Sequence, residues 1–149
     1  MKTITLIIAL VFSTLAIAQR PNKERVRLLK VAYITEKLDL SVEESQTFWP
    51  IYNVYDAQMG EIHTKERKLL RSIKNNWEEV SEEKAKEGVS ILLSSQKDRH
   101  DVKETLISQL RTVISYKKTL LLMKAEEDFK RDLLRQLRDR KKSKPNDEK

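Results

Sequence analysis

Only two histidines, His63 and His100, and no cysteine stand among the 149 residues, so any metal chemistry would have to combine these imidazoles with carboxylates. His63 with Glu66, and His100 with Glu104, have the one-turn spacing that lets two helical side chains approach the same ion. Each pair offers two donors where a zinc site uses three or four. Neither histidine belongs to the Glu-x-x-His arrangement of a di-iron bundle. The ligand count therefore favours a solvated surface histidine at both positions. The paired glutamates Glu78-Glu79 and Glu126-Glu127 are consecutive, so they do not share a helical face for acid and base work. No Gly-rich phosphate loop, nucleophile elbow or zincin pattern occurs. The expectation is a protein that is not an enzyme, with no catalytic, cofactor or metal residues.

A different kind of pattern runs from Leu38 to Ile73. Leu40-Ser41-Val42-Glu43-Glu44 has the chemistry of a helix start: Ser41 can cap, and Glu44 three residues on can return the bond as a capping box. Glu43 and Glu44 also suit the positive end of a helix. Apolar residues then recur at Phe48, Ile51, Tyr52, Tyr55, Met59, Ile62, Leu69, Leu70 and Ile73, in steps that make one helical stripe. Pro50 interrupts the pattern chemically. Beyond the first turn it cannot donate to the carbonyl of Gln46, so the helix is expected to bend or loosen there.

The elements that would hold this stripe are helices. Two Gly, three Pro and 36% charged residues accompany aliphatics at helical spacing, without an alternating β-branched run, and this reads as all-α. Length favours one domain, over 19–142. Pro21-Asn22 opens a first helix, with Val26, Leu29, Ala32, Tyr33 and Leu38 as its apolar side. The Ser41 helix continues to about Lys74, and Asn75-Asn76-Trp77 has turn chemistry. Ser81 starts a third helix with heptad-like positions Ala85, Val89, Leu92, Gln96, Arg99, Lys103, Leu106, Leu110 and Val113. Ile114-Ser115 marks a further junction. A fourth helix then carries Leu122, Ala125, Phe129, Leu133 and Leu137 and fades into Arg138-Asp139-Arg140-Lys141-Lys142, basic residues that complement a helix C-terminus. Residues 143–149 are expected to be a disordered tail.

The second and third helices each exceed 30 residues, so each should span roughly 45 to 50 Å at 1.5 Å per residue. Joined by a short turn they form a long antiparallel hairpin. An elongated, curved layer of this kind favours burial of its leftover stripe against a second copy, with a four-helix monomer as the alternative. If the turn centres near Glu78, Gln96 and Arg99 face Gly60 and Ala57, near Met59. This polar middle is either an adaptable zone or a set of long side chains reaching solvent.

Lys2, the apolar run Ile4 to Leu15 and the small-x-small site Ala16-Ile17-Ala18 predict a cleavable signal peptide at 1–18 and a mature start at Gln19. An uncleaved anchor is the alternative, although the run is short of the about 20 residues that a span needs. Removing Lys2 takes the formal charge from +7 to +6. Export argues against nucleic acid as a partner. The charge then suits anionic envelope surfaces or acidic client segments, or it serves only to keep the surface soluble.

The exported four-helix pattern, with Leu40-Ser41-Val42-Glu43-Glu44 ahead of a long amphipathic helix, resembles the Spy/CpxP-like family of envelope-stress proteins. The family's hallmark is a Leu-Thr-x-x-Gln motif. Leu40 matches it, Ser41 stands for Thr and Glu44 for Gln, both keeping the capping chemistry. Ile114-Ser115-Tyr116-Lys117-Lys118 sits where a second copy belongs and keeps the capping Ser. The Phe48-Trp49-Pro50-Ile51-Tyr52 run and the stretch from Ala125 to Arg138 are similar to the Bacteroidetes branch labelled as sensors of extracytoplasmic-function sigma factors. The resemblance implies a periplasmic, antiparallel, cradle-shaped dimer that has no cofactor or small-molecule substrate. It would either report envelope stress to a membrane signalling protein or hold unfolded proteins without ATP. Family members labelled heavy-metal sensors imply a further role, which the absence of cysteine and the scarcity of histidine do not favour here.

Overall fold

The computed structural model describes residues 22–142, with side chains from Glu24 to Asp139. Four helices occupy them: α1 Asn22–Leu38, α2 Val42–Asn75, α3 Glu82–Leu110 and α4 Tyr116–Lys142, with a 3₁₀ turn Trp77–Glu79 between α2 and α3. No strand occurs among the described residues, so the protein is all-α. The signal-peptide reading of residues 1–18 and the tail at 143–149 lie outside the described residues. Among the described residues no helix is long and apolar enough to cross a membrane. The single domain expected from length takes the form of two compact units, one of α1 with α4 from Lys124 onward and the other of residues 39–123.

In the smaller unit the rings of Tyr33 and Phe129 lie 5.6 Å apart at 50°, and Lys30 Nζ is 3.9 Å from Glu126 Oε1. Ile34, Leu38 and Ala125 are buried. The stripe expected on α1 is rotated. Leu29 and Ala32 are exposed, while Ile34, one turn before Leu38 on the same helical row, fills the core position.

The larger unit is built on the α2–α3 hairpin. On α2 the inward positions are Phe48, Tyr52, Tyr55, Met59, Ile62, Glu66, Leu69 and Ile73, every one buried or half-buried, in alternating steps of four and three. On α3 the answering set is Ala85, Gly88, Leu92, Ser95, Arg99, Val102 and Leu106, in the same alternation. This strict seven-residue repeat is the pattern by which two helices keep one stripe in mutual contact along their length. The expected α3 stripe is corrected at three places: Val89, Gln96 and Lys103 are exposed, and Gly88, Ser95 and Val102 face inward. Hydrophobicity favoured Val89 over Gly88, but the shift by one residue turns the stripe by about 100°. At Gly88 the face packs directly against the Leu69 and Ile73 side chains of α2.

The hairpin register also departs from the expected pairing of Arg99 with Ala57. The Arg99 guanidinium instead reaches Glu66, nearer the turn, with both nitrogen–oxygen distances at 2.7 Å. This is a two-pronged carboxylate contact, favoured by the planar guanidinium fork. Gln96 is exposed, which is the solvent-reaching alternative for that position. Pro50 lies about 200° around the helix from Phe48 and Tyr52 and is exposed, and α2 is continuous through it.

Candidate functional site: two helix starts joined by one ion pair

The residues singled out by the first motif lie at the start of α2 and do what their types allow. Asp39, at φ 47°, adopts the left-handed region that Asp tolerates better than most residues. Ser41 then caps α2. The Glu44 amide donates to Ser41 Oγ at 3.1 Å, the Ser41 amide donates to Glu44 Oε2 at 2.9 Å, and the box is complete. The Ser41 hydroxyl donates to Glu43 Oε2 at 2.8 Å. Its own backbone amide, followed by the Ser41 hydroxyl, holds the Glu43 carboxyl below the usual range.

The degenerate second motif is built in the same way. Ser115 Oγ accepts from the Lys118 amide at 3.2 Å, and the Ser115 carbonyl accepts from the Thr119 amide at 2.9 Å, so Ser115 starts α4. The two starts meet. Lys118, three residues after its capping Ser, donates at 2.6 Å to Glu44 Oε2, three residues after the other capping Ser. The same ammonium donates to the Asp39 carbonyl at 2.7 Å. Lys118 thus satisfies a carbonyl of the turn and a carboxylate of the cap at once. Its hydrogen bond is the largest cause that holds the Glu44 carboxyl below the usual range, followed by the Ser41 amide. Sequence reading marked both motifs and missed their contact. The signal was available in the opposite charges at corresponding places, Glu44 and Lys118.

Beyond the cap, the Phe48-to-Tyr52 run forms a packed aromatic cluster. The Phe48 and Tyr52 rings stack with centroids 5.5 Å apart and 13° between planes, while Trp49 meets both edge-on at 5.1 and 5.5 Å. Tyr55 continues the series at 5.6 Å from Tyr52. Phe48 and Tyr52 are buried, Trp49, Ile51 and Leu40 are half-buried, and Pro50 is exposed. Stacked and edge-on pairs of this kind add to the packing of the first turns of α2.

The histidine pairs take different courses. His63 Nδ1 is 3.9 Å from Glu66 Oε2, but the Glu66 carboxylate is already gripped by Arg99. His100 lies 3.9 Å from Glu104, and Asp101 brings a third donor, with the three ligand atoms within 4.8 Å of one another on an exposed face. Asp101 also receives the Lys97 ammonium at 2.6 Å, a cation that a metal ion would have to displace.

At the other end of the hairpin, a groove of about 380 Å³ opens beside the 3₁₀ turn, lined by Leu69, Ile73, Val80, Gly88 and Ile91 with Glu79, Lys84 and Glu87. Leu69 and Ile73 of the expected α2 stripe reach it, whereas Gly88 carries no hydrophobic signal. Compared with protein-family models, curated proteins and solved structures, the chain matches none.

Proposed function

We propose that this chain is a non-enzymatic protein of the bacterial periplasm that senses envelope stress by binding a membrane signalling partner, misfolded protein, or both. The observation that carries the reading is the pairing of the two motif-bearing helix starts through Glu44, Lys118 and Asp39. The resemblance to the Spy/CpxP-like family rests on those same motifs, and their residues cap and join helices and do no chemistry. Exposed apolar side chains support a binding role: Leu93, Tyr116 and Leu120 are each more than 60% exposed within the larger unit. Exposed apolar side chains beside many flexible cations suit recognition of other polypeptides, including a second copy in a homodimer.

An ATP-independent holdase is the second reading, favoured by the same apolar exposure and by the formal +6 that the chain keeps once Lys2 is removed. The two are separated by adding purified protein to an acidic, chemically unfolded client. A holdase slows aggregation at 0.01 M salt and does so less well at 0.15 M, as the Debye length shortens from about 30 to about 8 Å. No effect on several clients at stoichiometric amounts removes the holdase reading. Saturable binding to one membrane protein of the envelope then carries the sensor.

A further inference from the structure

We propose that the groove at the hairpin tip is a docking site for polypeptide segments in which an apolar side chain is flanked by lysine or arginine. Its volume, about 380 Å³, lies near the low end of the range of about 300–1,000 Å³ that binding pockets occupy. Gly88 is among the lining residues, and neither the backbone nor the packing requires a glycine there. No glycine in the described chain has positive φ. A Cβ on Gly88 would sit 3.5 Å from Leu69 Cδ1 and 3.7 Å from Ile73 Cδ1, ordinary contact distances. Glycine inside a helix costs about 1 kcal/mol relative to alanine. Gly88 is itself buried beside Leu69 and Ile73, and Ile91 joins them in lining the groove.

Charge selects the occupant. Residues 76–87 hold five glutamates against two lysines in a chain whose formal charge is +7, so the tip is locally negative on a basic protein. Glu79 and Glu87 lie on the groove itself, against the single cation Lys84. Trp77, 69% exposed in the adjoining turn, adds an aromatic face that attracts a cation. Such a surface repels acidic segments, phosphates and anionic headgroups, and it attracts a basic segment that brings an apolar anchor. The remainder of the basic surface favours acidic clients, so one molecule offers two unlike contacts to an unfolded chain. This inference deepens the proposed function and rests on it only in taking the ligand to be polypeptide.

The test uses the full chain and fluorescence anisotropy of labelled twelve-residue peptides. One carries Leu-Ile between lysines and arginines, a second replaces the basic residues with glutamate, and a third replaces Leu-Ile with serine. The basic apolar peptide should bind at least about tenfold more tightly than either control. Gly88→Leu, which fills the groove, should abolish the preference. Glu79→Lys combined with Glu87→Lys, two exposed positions that leave the helices intact, should shift the preference toward the acidic peptide. Equal binding of all three peptides, or binding indifferent to both variants, overturns the proposal. Concentration-dependent self-association that Gly88→Leu removes also overturns it, since the groove is then covered by a second copy. If peptides bind as expected while no client is protected and no membrane partner is found, the site stands and the proposed function falls.

Discussion

The two ends of the α2–α3 hairpin share one repeat and differ in what closes it. At the junction end the repeat positions are Phe48, Tyr52 and Tyr55 on α2 and Leu106 on α3, all buried, with Leu110, Ile114 and Leu122 also in the core. At the tip the corresponding positions are Leu69 and Ile73 on α2 and Ala85 on α3, only half-buried, with the small Gly88 buried between them. Two helices alone can cover one stripe of each other but not the flanks of that stripe. The junction end has a third element, the first turns of α4, tied in by Lys118, and the tip has only a 3₁₀ turn. Glu66 and Arg99 divide the two regimes, 14% and 30% exposed at the side chain.

The largest effect should come from emptying the closed end. Phe48→Ala is expected to lower stability by about 3–5 kcal/mol, as for other buried aromatics. Leu70→Ala, at a half-exposed site near the tip, should change it by no more than about 0.5 kcal/mol. Urea unfolding measures both, and similar losses would erase the distinction between the ends.

The dividing pair gives a smaller effect. Glu66→Leu leaves Arg99 partly desolvated without its carboxylate and should cost about 1–2 kcal/mol. Adding Arg99→Leu should recover most of that loss, because two apolar side chains at facing repeat positions pack well. A double-mutant cycle in urea then reads a coupling that shrinks with salt. A coupling of zero would make the pair an incidental surface contact.

Next in size is the junction itself. Ser41→Ala should cost about 1 kcal/mol through the lost cap. Glu44 has a folded-state pKa below its unfolded value, so its contribution is present above the unfolded pKa and is lost as pH falls through the folded one. Acid titration of stability should therefore fall in that window and flatten in Glu44→Gln. A variant with an unchanged acid limb would show that Glu44 does not carry it.

The smallest effect, and one of opposite sign, belongs to the tip. Gly88→Ala should raise stability by about 0.5–1 kcal/mol, because helical alanine loses less backbone entropy and its Cβ meets Leu69 at ordinary distance. A loss of stability in thermal unfolding would show that the hairpin needs a closer approach at Gly88 than the geometry indicates.

The sequence by itself determined the helical class, the caps at Ser41, Ser81 and Ser115, and the α2 stripe apart from Leu70, which is exposed, since capping and periodicity are local properties readable within one turn or two. It also held Leu40, Ser41, Glu44 and the Phe48-to-Tyr52 run as a unit. Only the tertiary structure decided which face of α3 turns inward, because Gly88, Ser95 and Arg99 carry no hydrophobic signal and are inward only by virtue of what α2 sets against them. The same holds for Glu66, a gap in the α2 stripe until Arg99 fills it. Lys118 reads as an ordinary first-turn lysine until the chain, 74 residues after Glu44, brings it back to that carboxylate. Periodicity finds the side chains that flee water, whereas long-range pairing of small or charged residues depends on a partner that lies elsewhere in the chain.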